Sequence, residues 1–168
     1  MRKLNILKYP DERLKKPSVE VHDFGKMFSL FLEDLIYTMK SSPNCVGIAA
    51  PQVNVHKRVV VVDVSQSNHR EKKCSHGLLI LVNPVIVQRD GELIVREGCL
   101  SVPDYTGNVE RYYWIKVQAM DPKGRYVEFD TEGFEAVVIQ HEIDHLDGKV
   151  FLERLVSPKE LFKRKVYK

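Results

Sequence analysis

The stretch Phe134-Glu135-Ala136-Val137-Val138-Ile139-Gln140-His141-Glu142-Ile143-Asp144-His145-Leu146 decides the reading of this chain. Val137, Val138 and Ile139 in a row make a helix here apolar around most of its circumference, so it belongs at the centre of a fold. Gly148, just beyond, suits the left-handed residue that follows a helix end. Residues four apart on a helix share a face, with Cβ atoms roughly 5–6 Å apart. His141 and His145 therefore reach one common ion, and Glu142 is placed to contact a water on it. H-E-x-x-H on a helix is a metal-site signature for that reason. The alternative is a polar helix face without a shared ligand, which would bury two imidazoles and two carboxylates at a cost.

The third ligand is open at this point. Metzincin proteases extend the motif to H-E-x-x-H-x-x-G-x-x-H; Gly148 stands at the glycine, but the last position is Phe151, which cannot ligate. Other zincins use a downstream glutamate, and only Glu153 and Glu160 remain. Upstream, Glu97-Gly98-Cys99-Leu100-Ser101 follows a strand, and a Cys99 thiolate completes a Cys-His-His set. A lone cysteine is equally a small buried apolar residue. A rival cluster, His69, Cys74 and His76, sits among Arg70, Glu71, Lys72 and Lys73 and reads as a solvated loop.

Outward from the helix, apolar residues at three- and four-residue steps from Phe24 to Met39 predict an amphipathic helix, with Asp23 as N-cap and Ser42-Pro43-Asn44 closing it. Cys45 to Gln52 is too rich in Gly, Ala and Pro for a helix or a regular strand. Val59 to Val64 reads as a buried strand, and Ser65 to Gly77 as a polar loop. Leu78–Val82 restarts as a strand. Val85–Gln88 and Leu93–Arg96 flank Asp90-Gly91 as a hairpin, and Val109–Met120 and Arg125–Phe129 flank Asp121-Pro122-Lys123-Gly124 as another. The expected fold is α+β: mostly antiparallel strands around a central C-terminal helix carrying HEIDH, with an N-terminal amphipathic helix.

The length of 168 residues fits one domain, and 43% hydrophobic with 29% charged residues is the balance of a globular protein. No apolar run approaches the roughly 18–20 residues of a membrane helix. The first residues, MRKLNILKYPDERL, lack the pattern of a secretory signal, so a cytoplasmic address is expected. Three cysteines, an odd and sparse count, favour a free thiol, a ligand or a nucleophile over a disulfide framework. The net charge of +3 is too small for a DNA-binding protein. It is concentrated after Ser157, where Lys159, Lys163, Arg164, Lys165 and Lys168 face one acid, Glu160. This gives a catalytic domain over residues 1–156 and a short basic tail over 157–168, a solvated helix end or a contact for ribosomal RNA.

Three segments together resemble peptide deformylase, whose motifs are G-φ-G-φ-A-A-x-Q, E-G-C-φ-S and Q-H-E-φ-D-H with φ apolar. Here they stand as Cys45-Val46-Gly47-Ile48-Ala49-Ala50-Pro51-Gln52, Glu97-Gly98-Cys99-Leu100-Ser101 and Gln140-His141-Glu142-Ile143-Asp144-His145. Order, spacing and length agree over Ile6 to Leu155. The resemblance implies removal of the formyl group from N-terminal formyl-methionine of new proteins, with release of formate. It implies one divalent ion, natively Fe²⁺ with Zn²⁺, Ni²⁺ or Co²⁺ able to substitute, held by Cys99, His141 and His145. Glu142 would be the general base. The Gln52 amide and the Leu100 N–H would be donors to the developing oxyanion. Gly47 would let the substrate backbone approach, pairing with the Val46–Gly47 segment. Val46 and Leu100 would border the methionine slot, with Ile139 and the His141 ring toward it. Glu97 and Arg111 would form an ion pair steadying the Cys99 segment, and Asp144 would orient a ligand imidazole. One departure stands out: the first motif glycine is Cys45. Two other readings compete, a zinc-dependent peptidase on the same helix and a metal-stabilised binding module without enzymatic activity.

Overall fold

A computed structural model describes residues 1–164. Its elements are α1 (Lys26–Lys40), β1 (Gly47–Ala49), β2 (Val59–Val62), β3 (Leu79–Asp90), β4 (Leu93–Cys99), β5 (Val102–Arg111), β6 (Trp114–Met120), β7 (Tyr126–Glu132), α2 (Phe134–Leu146) and β8 (Leu161–Lys163), with short 3-10 turns between them. The strands form an antiparallel sheet in the order β1-β2-β3-β6-β7 and a second in the order β4-β5-β8. The fold is α+β, as the sequence pattern implies.

The all-apolar run of β2 has a simple cause. Successive strand residues point to opposite faces. Val60 and Val62 face the α2 side, where they pack with Ala136, Val138, Ile139, Ile143 and Leu146. Val59 and Val61 face α1 and pack with Phe28, Leu32, Leu35 and Met39. A strand covered on both faces reads as continuous hydrophobic sequence rather than alternation. The other side of α2 offers Val137 to Val95, Cys99, Val102, Val109 and Phe151, on and beside the second sheet. With sheets on two sides, every residue from Glu135 to Leu146 is buried.

Several local expectations are corrected. Helix α1 is capped by Gly25, and Asp23 instead accepts a hydrogen bond from the Gly25 N–H (2.9 Å). Gly47–Ala49 does form a regular strand, paired with Val60–Val62, because its small residues fit beneath α2. Asp90-Gly91 does not close a hairpin: β3 pairs with β2 and β6, whereas β4 pairs with β5, so this turn carries the chain from one sheet to the other. Gly91 has φ +71°, which suits that sharp change of direction. The span Val109–Met120 splits at Tyr112-Tyr113 into β5 and β6, again one strand per sheet. At the C-terminus, Leu161–Lys163 is not a helix end but a strand pairing with Tyr105–Gly107. Lys165 and Lys168 lie outside the described residues.

Candidate active site

The sequence puts the three motifs on separate elements, and packing brings them to the last half of α2. Cys99 ends β4 at a bulge, where the register shifts between Gly98 and Cys99. Alternation along β4 puts Cys99 on the buried face with Val95 and Glu97, and its Sγ lies 3.4 Å from His145 Nε2. The donor atoms of Cys99, His141 and His145 all fall within 4.8 Å of one another, and all three residues are buried. The two imidazoles stand nearly edge to face, with ring centroids 5.1 Å apart.

A chain of buried ion pairs fixes the His141 ring. Its Nδ1 lies 2.7 Å from Glu97 Oε1. Arg111 donates Nε and Nη2 to the two Glu97 oxygens (2.8 and 2.9 Å) and Nη1 to Asp144 Oδ2 (2.7 Å). With Nδ1 on the carboxylate, Nε2 is the nitrogen left for a metal, the arrangement that orients metal-bound histidines generally. Burial by itself would raise the Glu97 carboxyl, but hydrogen bonds from Arg111 and His141 outweigh it and hold it at about 2. Asp144 does not touch an imidazole, as the sequence reading had it. It lies on Arg111 and is clamped from outside by Arg154 (3.1 Å), because the Arg111 guanidinium stands between it and Glu97, the partner of the His141 ring.

Glu142 stands apart from this network. It is buried, and its Oε1 has no hydrogen-bond partner among the described residues. An unpaired buried carboxylate oxygen is expensive, and one beside three soft and borderline donors is what a site for an ion and its water leaves. The donor set therefore fits a divalent transition metal. Burial pushes the Glu142 carboxyl up to about 7. Gly47 packs directly against it: a Cβ there would stand 2.6 Å from Glu142 Oε2 and 2.9 Å from Val138 Cγ1. The glycine is thus required by the helix beneath it.

Gln52 follows β1 in a 3-10 turn and is fully buried. The Ala49 N–H donates to its Oε1 (2.9 Å), and its Nε2 donates to Ser101 Oγ (3.1 Å) and Cys99 Sγ (3.4 Å). The amide ties down its own backbone and also points its N–H group at the metal donors. Leu100 is the residue between Cys99 and Ser101 at the turn that ends β4. Val46, half-buried, packs at the edge of the α2 core, whereas Ile139 is wholly inside it and lines no slot. Cys45 donates to the Gly47 carbonyl (3.2 Å), and burial pushes its thiol up to about 12. Its φ is not positive, so cysteine sits at this motif position without strain.

The rejected ligands are accounted for. Phe151 stacks on the His141 ring (centroids 6.3 Å apart), Glu153 accepts from the Val150 N–H, and Glu160 accepts from Asn108. Sequence reasoning missed Ser101, buried and bonded to Gln52, although it stands in the second motif. It also missed the N-terminal strap, where the Leu7 N–H donates to the Gln52 carbonyl and the Tyr9 N–H to the Ser101 carbonyl (2.7 Å each). Backbone clamps of this kind leave no side-chain signal. A groove of about 650 Å³ opens behind the ion-pair network, bordered by Arg111 and Asp144 but by none of the metal donors.

The polypeptide deformylase family profile matches residues 3–161. The chain belongs to the peptide deformylase family. It is 43% identical over 157 residues to peptide deformylase 3 of Shewanella oneidensis, covering 94% of this chain and 91% of that one. It is 41% identical to the peptide deformylase of Chromobacterium violaceum, covering 94% and 89%. A crystal structure of a peptide deformylase from Legionella pneumophila superposes with a TM-score of 0.84 at 37% identity, over 94% of this chain and 88% of that one. One from Thermotoga maritima gives 0.84 at 34% identity, over 94% and 100%. The protein is a metal-dependent hydrolase with deformylase activity, which removes N-formyl groups from nascent peptides, and Cys99, His141 and His145 are its metal-binding residues. Among the described residues no helix is long and apolar enough to cross a membrane.

Proposed function

We propose that this deformylase acts on the N-terminal formyl-methionine of newly made polypeptides, with Glu142 as general base and Gln52 and Leu100 as oxyanion donors. The observation that carries the reading is Glu142 Oε1, buried and unpartnered beside the metal donors. When bound, a divalent ion supplies a water of lowered pKa as nucleophile. Glu142 takes a proton as the water oxygen joins the formyl carbon. Burial, which raises this carboxyl above the ordinary glutamate range, favours its taking up a proton. The Gln52 Nε2–H group and the Leu100 N–H meet the charge that builds on the formyl oxygen. The carbon–nitrogen bond then breaks, Glu142 returns its proton to the departing amine, and formate leaves.

Glu97 and Arg111 act at one remove, fixing the His141 ring, and Asp144 holds Arg111 in place. Val46 and Gly47 offer the edge against which the substrate strand lies, and Val46 and Leu100 border the methionine side chain. Fe²⁺ is the native ion on the family resemblance. One thiolate with two imidazoles also suits Zn²⁺, Ni²⁺ and Co²⁺. The enzyme works in the cytoplasm, where formylated chains emerge, and Lys159, Lys163 and Arg164 provide basic contacts toward the ribosome. Metal analysis of anaerobically purified protein, paired with formate release from formyl-Met peptides, tests this reading. Iron and formate support it. Cleavage of an internal bond in an N-blocked peptide would support the peptidase instead.

A further inference from the structure

The segment Ser65–Gly77 is a loop with solvent-facing residues, as its polarity implies, but part of it is docked on the fold. His69 stacks flat on Phe134 with ring centroids 4.1 Å apart, the Phe134 N–H donates to the Glu71 carbonyl (2.8 Å), and Lys72 bridges to Gly133. Docking carries Cys74 and His76 over the first turn of α2, where Glu135 waits. The Glu135 side chain is wholly inaccessible. Its described partners both come from His76: the backbone N–H (2.7 Å) and the imidazole Nδ1. Cys74 Sγ lies 3.0 Å from Thr131 Oγ1, with its sulfur facing the same point. The sulfur, the imidazole nitrogen and a carboxylate oxygen all fall within 4.8 Å of one another.

We propose that Cys74, His76 and Glu135 form a second divalent metal site, distinct from the catalytic one, that takes a borderline transition cation such as Zn²⁺. The donor types carry the choice of ion. Zinc binds thiolate, imidazole and carboxylate at about 2.3, 2.0–2.1 and 2.0–2.2 Å, whereas calcium and magnesium take oxygen donors. The carboxylate supplies the second, independent argument. Glu135 is fully buried and its described partners come from one residue, His76, so among the described residues it has no lysine or arginine beside it. A divalent ion at this point supplies that positive charge. The Glu135–His76 contact must open to admit the ion. The His76 side chain is 38% exposed, and its ring, packed beside Phe129 with centroids 5.0 Å apart, turns toward solvent to make room. Binding releases the Cys74 thiol proton, and water fills the fourth position on the solvent side. The site tethers the docked segment to the start of the helix that bears the catalytic residues at its other end.

Equilibrium dialysis of the full chain against Zn²⁺, followed by metal analysis, tests this. Wild type should hold two ions per chain. Cys74→Ser and the double variant Cys74→Ser/His76→Ala should hold one, with formyl-peptide hydrolysis unchanged. Cys99→Ala should also hold one, at Cys74, while losing hydrolysis, so failure of either site is read separately. In wild type with the catalytic site filled, further Zn²⁺ should raise the thermal midpoint, and in Cys74→Ser it should not. The single Cys74→Ser keeps the His76–Glu135 pair and tests the site even where the double variant does not fold. A single ion in wild type, or two ions retained in Cys74→Ser, overturns the inference.

Discussion

The two ends of α2 invite comparison, since each gathers a cysteine and a histidine with a further donor. Near the C-terminal end, Cys99, His141 and His145 are all buried and backed by the chain Glu97, Arg111, Asp144 and Arg154. At the N-terminal end, Cys74 and His76 come from a docked loop, His76 is exposed, and Glu135 has His76 as its described ionic partner. The first centre is held in shape by its own ion pairs, and the second depends on a single exposed ring. Rigidity of this kind is what a catalytic metal needs, because a misplaced ligand moves the nucleophile. A site that only tethers a loop has no such demand.

Removing a donor from the rigid end gives the largest effect. Cys99→Ala should lose the catalytic ion and reduce formate release by more than the ~10–100-fold typical for an outer partner of a metal ligand. A fully active Cys99→Ala would erase the distinction between the two ends.

Next comes the backing network. Arg111→Met leaves the buried Glu97 without its guanidinium and Asp144 with Arg154 alone, and breaking such a buried pair is destabilising by about 3–5 kcal/mol. Urea unfolding of the metal-free variant measures it, and a change below 1 kcal/mol would show that the network is not what stiffens the site. Gly47→Ala tests the packing beneath the strand. Its Cβ must push Glu142 or Val138 aside, at about 1–3 kcal/mol with reduced activity. Equal stability and activity would show that Glu142 is loosely held.

The smallest effect concerns Cys45. With its thiol pushed up to about 12 by burial, it should resist alkylation at neutral pH. Its modification rate should then climb about tenfold per pH unit as the thiolate fraction grows. Rapid alkylation of Cys45 at pH 7 would place it in a more open setting.

Much of the rigid end was legible in the sequence, because local rules built it. The four-residue spacing of His141 and His145 needs only a helix, and the apolar run around them required that helix to be central. What the sequence concealed was pairing across the two sheets. Asp90-Gly91 has the composition of a hairpin turn, yet it changes sheets, and nothing local distinguishes the two outcomes. The partner of the His141 ring was hidden for the same reason. Glu97 reaches it through the register of β4, whereas Asp144, closer in sequence, is taken by Arg111 and Arg154. At the other end, Lys and Arg flanking Cys74 and His76 suggested solvent. Those residues do meet solvent, but the loop also docks on Phe134 and Gly133 through backbone hydrogen bonds and a ring stack that composition does not record.

The most direct test of the catalytic assignment is formate release from a formyl-Met peptide by wild type and Glu142→Ala, with metal content measured on the same samples. The account predicts the same metal content in both proteins and a rate lower by about 10²–10⁴ in the variant. Formate release surviving at the wild-type rate in a metal-loaded Glu142→Ala would contradict it.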